Sequence, residues 1–256
     1  MILVKLGGGL IAPKGARQVA DTAVIHALGR ELAKATEPLV VIHGAGSFGH
    51  TLAKKHGIHQ GLVDRSQLGP LSEIHLDMRL LNVQVLESLG ASGLHPVAIP
   101  PYPVAANRDG KLAFLDVSPF GHALDLGLTP VTHGDLVHDE LRGVSVLSGD
   151  DIAWWLARET KPSRVVFVTD VDGIFDRPPE EPGARLVPSF APDELRRQSL
   201  AGARGPDVTG GMAGKARAIA TIAELGTPVW VVNGRQRGRL SEALQGGRPV
   251  GTVVTP

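Results

Sequence analysis

The chain has 256 residues, 26 basic and 26 acidic, with a formal net charge of zero and no cysteine. Its length suffices for a full α/β core. The charge balance, without any basic block, excludes a general nucleic-acid surface, and the missing thiols exclude disulfides, thiolate metal sites and cysteine nucleophiles. No apolar run approaches a membrane span, and Met1-Ile2-Leu3-Val4-Lys5 lacks the ordered segments of a signal peptide. A cytoplasmic location is therefore expected.

In chain order, residues 2–6 read as a buried strand that runs into Gly7-Gly8-Gly9, and residues 19–35 as an amphipathic helix. Residues 39–42 form a second apolar run. It enters the turn Gly44-Ala45-Gly46-Ser47-Phe48-Gly49, with His50 next and a helix starting over 51–56. Residues 67–88 read as a helix, 96–99 as a strand, and 103–118 as a hairpin or insertion around Asn107-Arg108-Asp109-Gly110. A strand at 130–132 leads to Gly134, and residues 135–147 resemble the first hairpin. Ser148-Gly149-Asp150-Asp151 opens a helix over 148–159, with N-capping as its ordinary role. The strand at 165–169 ends in the acidic turn Asp170-Val171-Asp172-Gly173. Residues 177–183 read as a Pro-rich surface loop, and 199–211 as a small-residue segment that a ligand orders. A helix over 212–224 and a strand over 229–232 complete the pattern.

Apolar strands alternating with helices predict a mostly parallel sheet covered on both faces. Ligands of such sheets bind beyond the carboxyl ends of the strands, where the glycine turns fall. A strand ending in glycines at a helix N-terminus gathers backbone N–H groups into an anion site, for which phosphate is the common guest, and His50 is placed to donate to it. Gly44–Gly49 also fits the dinucleotide fingerprint, but no second strand with a terminal acidic residue follows at the right distance. There is no Walker loop and no nucleophile elbow. His56 and His59 have no third partner at a zinc spacing. A lysine in a buried strand is costly without an anionic partner, which singles out Lys5. Lys14 and Lys215 also lie in glycine-rich contexts.

Lys5-Leu6-Gly7-Gly8-Gly9, His43-Gly44-Ala45-Gly46, Ser148-Gly149-Asp150-Asp151, Thr169-Asp170-Val171-Asp172-Gly173 and Thr209-Gly210-Gly211-Met212 with Lys215 stand in an order that resembles the amino acid kinase superfamily over essentially the whole chain. Within it, His-Gly-Ala-Gly-Ser-Phe-Gly-His and His133-Gly134-Asp135 resemble isopentenyl phosphate kinases, which transfer the γ-phosphoryl group of ATP to isopentenyl phosphate. Fosfomycin kinases share the His50-type motif and are the alternative. Gly9 departs from the family's common serine.

The resemblance implies a three-layer α/β/α sandwich with a mostly parallel open sheet. It forms a single domain over residues 1–256, with acceptor in the N-terminal half and nucleotide in the C-terminal half. It implies that Gly44, Ala45, Gly46, Gly49, His50, Gly134 and Gly149 surround the acceptor. Lys5, Gly7, Gly8, Gly9, Gly46, Thr169, Asp170, Asp172, Gly173, Gly210, Gly211, Met212 and Lys215 would surround the nucleotide. Lys5, Lys14 and Lys215 would neutralise the phosphates, His50 would fix the acceptor, and Asp150 would organise Lys5 and Lys215. Mg²⁺ would bridge ATP oxygens without a protein metal site, and the protein would be a homodimer. The helix around Ile74, Met78, Leu81 and Val85 is a candidate wall for an apolar acceptor tail, or plain core.

Overall fold

The structure is a computed structural model that describes residues 1–13, 17–201 and 211–256, without the side chains of 198–201 and 211–213. In chain order its elements are β1 (Ile2–Leu6), α1 (Gly8–Ile11), α2 (Thr22–Leu32), β2 (Leu39–His43), α3 (His50–Lys55), α4 (Leu68–Ala91) and β3 (Pro96–Ala98). Then come β4 (Ala105–Arg108), β5 (Lys111–Leu115), α5 (Ser118–Asp125), β6 (Thr129–His133), β7 (Asp135–Asp139), β8 (Gly143–Leu147) and α6 (Gly149–Thr160). The chain ends with β9 (Arg164–Thr169), β10 (Ser189–Phe190), α7 (Pro192–Ala201), α8 (Gly211–Glu224), β11 (Val229–Asn233), α9 (Arg239–Leu244) and β12 (Gly251–Val254).

Eight strands form the main sheet in the order β10-β12-β11-β9-β1-β2-β6-β3. Every pair is parallel except β11 with β12. The six strands expected from apolar runs are all present. All five residues of β1 and of β2 are buried, as a sheet covered on both faces requires. Alternation along β1 feeds two cores. Ile2, Val4 and Leu6 pack with residues of α2, α4 and α9, whereas Leu3 packs with residues of α6 and α8. These are the three layers that the sequence pattern implies. Lys5 shares the Leu3 side, and this alternation brings its ammonium toward the start of α6.

The two hairpins are not independent insertions. β4 pairs with β7 in parallel, joining them into a second sheet ordered β5-β4-β7-β8. Asp139 is its buried hub, accepting the N–H groups of Asp109, Gly110, Leu141 and Arg142 and the Ser145 hydroxyl at 2.6–3.1 Å. The Gly7–Gly9 turn is tighter than expected, because Gly8–Ile11 closes one helical turn directly after the strand. The strands β10 and β12 and the helices α5, α7 and α9 are not among the elements expected from sequence. α7 is overwhelmingly polar, and β10 has two residues.

Candidate active site

The sheet order reverses around β1: the chain proceeds from β1 to β2 on one side and reaches β9 on the other. A crevice opens at the carboxyl ends of strands at such a reversal, and there the β1 and β2 glycine turns interlock. A Cβ on Gly8 would lie 2.4 Å from the Gly46 nitrogen and 3.1 Å from that of Ala45. A Cβ on Gly44 would lie 2.6 Å from the Gly8 nitrogen. Gly46 adopts φ +50° with no room beside the carbonyl oxygens of Gly8 and Ala12.

The N–H groups divide into two sets. Those of Gly7, Gly44 and Gly134 stitch the strand ends, donating to Val168, Leu6 and His43 carbonyls. Those of Gly8, Gly9, Ala45 and Gly46 have no hydrogen-bond acceptor among the described residues. Four N–H groups without an acceptor among the described residues, at two abutting strand–helix turns, make a candidate anion cradle. Gly134, expected at the acceptor, also joins the end of β6 to β2 through its bond to the His43 carbonyl.

Lys5 Nζ lies 2.6 Å from Asp150 Oδ1, with the lysine side chain 8% exposed. Asp150 sits in the first turn of α6, which Ser148 caps by accepting the Asp151 N–H at 3.1 Å. A carboxylate there also benefits from the helix dipole. Burial alone would raise the Asp150 pKa, but Lys5, Lys215 and His50 overcome it and hold the carboxyl below its usual range. Lys5, Lys215 and His50 thus all act on one carboxylate. Gly149 leaves space beside the Lys5 stem, since a Cβ there would stand 3.4 Å from Lys5 Cε.

Thr169, Val171, Gly173, Ile174, Lys215 and Ala216 line a cleft beyond β9. Asp170 is exposed beside Gly9, with Oδ2 3.6 Å from where a Gly9 Cβ would sit. Asp172 Oδ1 accepts from Asn233 Nδ2 at 2.9 Å and Arg239 Nη1 at 2.7 Å, which hold its pKa down. That oxygen ties β9 to β11 and α9. Lys14 and Gly210 lie outside the described residues, and Gly211 and Met212 are described as backbone in the first turn of α8.

His50 opens α3, half-buried, directly after the glycine turn. Ile74, Met78, Leu81 and Val85 are core residues throughout. Of these, the Met78 thioether reaches the turn, 3.4 Å from where a Gly49 Cβ would lie. Sequence reading missed the polar residues on the same helix. Asp77 is fully buried and accepts from Arg17 and Gln18, while Asn82 meets His43 at 3.1 Å. Their signal was a carboxylate and an amide at core-facing positions of an otherwise apolar stripe.

The profile of the amino acid kinase family matches residues 1–233. The isopentenyl phosphate kinase of Methanothermobacter thermautotrophicus is 33% identical, with 100% of this chain and 99% of that protein covered. A structure described as isopentenyl phosphate kinase superposes with a TM-score of 0.86 at 29% identity, covering 98% of this chain and 99% of the other. The product complex of the Thermoplasma acidophilum isopentenyl phosphate kinase superposes with a TM-score of 0.83 at 28% identity and 99% coverage of both chains. The interlocked glycine turns, the Lys5–Asp150 pair and these full-length likenesses agree, and the chain belongs to the amino acid kinase family, among its isopentenyl phosphate kinases.

Proposed function

We propose that this protein transfers the γ-phosphoryl group of ATP to isopentenyl phosphate, giving isopentenyl diphosphate. The observation that carries the reading is His50 at the start of α3, directly after the glycine turn and within electrostatic reach of Asp150, in a chain whose full-length relatives are named for this activity. The attacking atom is a phosphate oxygen, ionised near neutral pH, so the protein supplies alignment and charge neutralisation rather than a strong base. Gly44–Gly46 and Gly49 wrap the acceptor phosphate. The Ala45 and Gly46 N–H groups and His50 hold it, while Gly134 and Gly149 shape the floor.

The Gly8 and Gly9 N–H groups hold the transferring phosphoryl group between the two turns. Lys5 neutralises its developing charge and Lys215 that of the leaving phosphate, each kept in place by Asp150. Lys14 adds to this cationic set. Thr169, Asp170, Asp172, Gly173 and the Gly210-Gly211-Met212 entry to α8 surround the nucleotide. Among the described residues no cluster of three or more His, Asp or Glu side chains could cage a metal. A Mg²⁺ ion accompanying ATP would be held through its water shell by exposed Asp170 beside Gly9. Mg²⁺ supplies neutralisation of charge between the phosphates.

The chain works as a single domain, acceptor in the N-terminal half and nucleotide in the C-terminal half, with both halves supplying strands to one sheet. A homodimer is supported by Leu76, Leu80 and Val83, which leave an apolar stripe 44–57% exposed along α4. No helix among the described residues is long and apolar enough to cross a membrane. Purified protein with Mg-ATP is expected to phosphorylate isopentenyl phosphate. Turnover of fosfomycin, with none of isopentenyl phosphate, would replace this reading with the alternative.

A further inference from the structure

β2 and β6 pair in register, so that His43 lies opposite His133, and both rings are fully buried. The rings stack with centroids 5.1 Å apart and planes at 30°. Each turns Nδ1 to the carbonyl oxygen of the glycine after it, at 3.1 Å for Gly44 and 3.2 Å for Gly134. A carbonyl oxygen only accepts, so each Nδ1 carries a hydrogen. For His43 the other nitrogen agrees with this tautomer. Its Nε2 faces the amide nitrogen of buried Asn82 at 3.1 Å, and an amide nitrogen only donates. Burial lowers the His43 pKa to about 4, so the ring is neutral at working pH.

The consequence lies one peptide further on. In a trans peptide the C=O and N–H point in opposite directions. Holding the Gly44 carbonyl against His43 therefore sends the Ala45 N–H the other way, and this N–H is one of the four in the cradle without an acceptor among the described residues. The Gly134 N–H, in turn, donates to the His43 carbonyl at 3.0 Å and fixes the strand that carries the ring.

We propose that Asn82 and His43 form a buried tautomer lock that sets the direction of the Ala45 N–H toward the acceptor phosphate. His43 is thus a positioning residue that never touches substrate. The lock rests on the reading that the Gly44–Gly46 turn holds that phosphate. Outer contacts of this kind orient the groups that bind a ligand and leave the ligand's chemistry to them.

Two measurements test it. Long-range ¹H–¹⁵N NMR of the histidine-labelled wild-type protein is expected to show the His43 proton on Nδ1. A proton on Nε2 overturns the lock, whatever the variants do. In steady-state kinetics, Asn82→Leu and His43→Leu are expected to raise the isopentenyl phosphate KM about tenfold and leave the ATP KM unchanged. His43→Asn, whose amide nitrogen can stand where Nδ1 stood but which cannot reach Asn82, is expected to show a smaller KM rise than His43→Leu. A lower melting temperature with both KM values unchanged would assign the pair a purely structural role and overturn the proposal. Wild-type protein inactive on isopentenyl phosphate, with the Nδ1 proton in place, would overturn the acceptor reading and the purpose given to the lock. An active wild type with Nε2 protonated would overturn the lock alone.

Discussion

Lys5 and Asp150 are 145 positions apart in sequence, yet their charged atoms stand 2.6 Å from each other beneath the two glycine turns. The pair is asymmetric. Asp150 also feels Lys215 and His50 and keeps cationic company if Lys5 is lost. Among the described residues the Lys5 ammonium meets Asp150 and, weakly, the Phe167 ring at 6.0 Å.

That asymmetry predicts different outcomes for the two partners. Lys5→Met is expected to lower kcat by about 10²–10³, as loss of a transition-state charge contact does, with a modest change in stability. Asp150→Ala is expected to lower kcat and also to cost about 3 kcal/mol, because it leaves an ammonium buried without its carboxylate. Urea unfolding beside steady-state kinetics separates the two. Equal stability losses would show that the pair is not asymmetric.

His50 is expected to act on one substrate. His50→Ala should lower acceptor kcat/KM about tenfold to a hundredfold, the worth of a charge-assisted hydrogen bond, with little change in the ATP KM. His50→Gln, which retains a donor, should recover part of the loss. Unchanged acceptor kinetics in His50→Ala would reduce His50 to a helix-start residue.

The neighbouring glycines of the β1 turn should differ sharply. Gly8→Ala places a Cβ 2.4 Å from the Gly46 backbone nitrogen, prising the two turns apart, so loss of turnover and a destabilisation of about 1–3 kcal/mol are expected. Gly9→Ser places its Cβ, among the described residues, near only the end of a side chain, Asp170 Oδ2 at 3.6 Å, and should retain both fold and activity. An active, stable Gly8→Ala protein would refute the interlock.

Asp139 should make the hairpin sheet acid-sensitive. Burial favours its neutral form. The Ser145 hydroxyl and the N–H groups of Gly110, Arg142 and Leu141 nevertheless hold its pKa well below the usual carboxylate range. A pKa depressed by folding contributes stability above the unfolded value of about 3.9, and that contribution is lost as pH falls through the folded value. Asp139→Ala is expected to cost about 2–3 kcal/mol at neutral pH through unsatisfied buried donors. The gap to wild type should narrow below about pH 4. Denaturant titrations at pH 7 and pH 3 measure it, and a gap that stays constant would contradict the assignment.

The parts of this protein legible in its sequence are those where local pattern and local chemistry coincide. Apolar runs of strand length, such as 2–6 and 39–43, admit no solvent-facing side and so declare a sheet covered on both faces. The glycine turns after them, Ser148 as a cap and the order of five motifs are likewise properties of neighbouring residues. What only the tertiary structure decided depends on partners far away in the chain. The parallel β4–β7 pairing makes two hairpins one sheet. The two glycine turns interlock through the missing Cβ of Gly8. Asn82 and Asp77, on a helix read as apolar, turn inward because His43, Arg17 and Gln18 wait there to satisfy them. A buried polar group is stable only with a partner. One-dimensional pattern registers the polar group and not the partner, which packing alone brings within hydrogen-bonding distance.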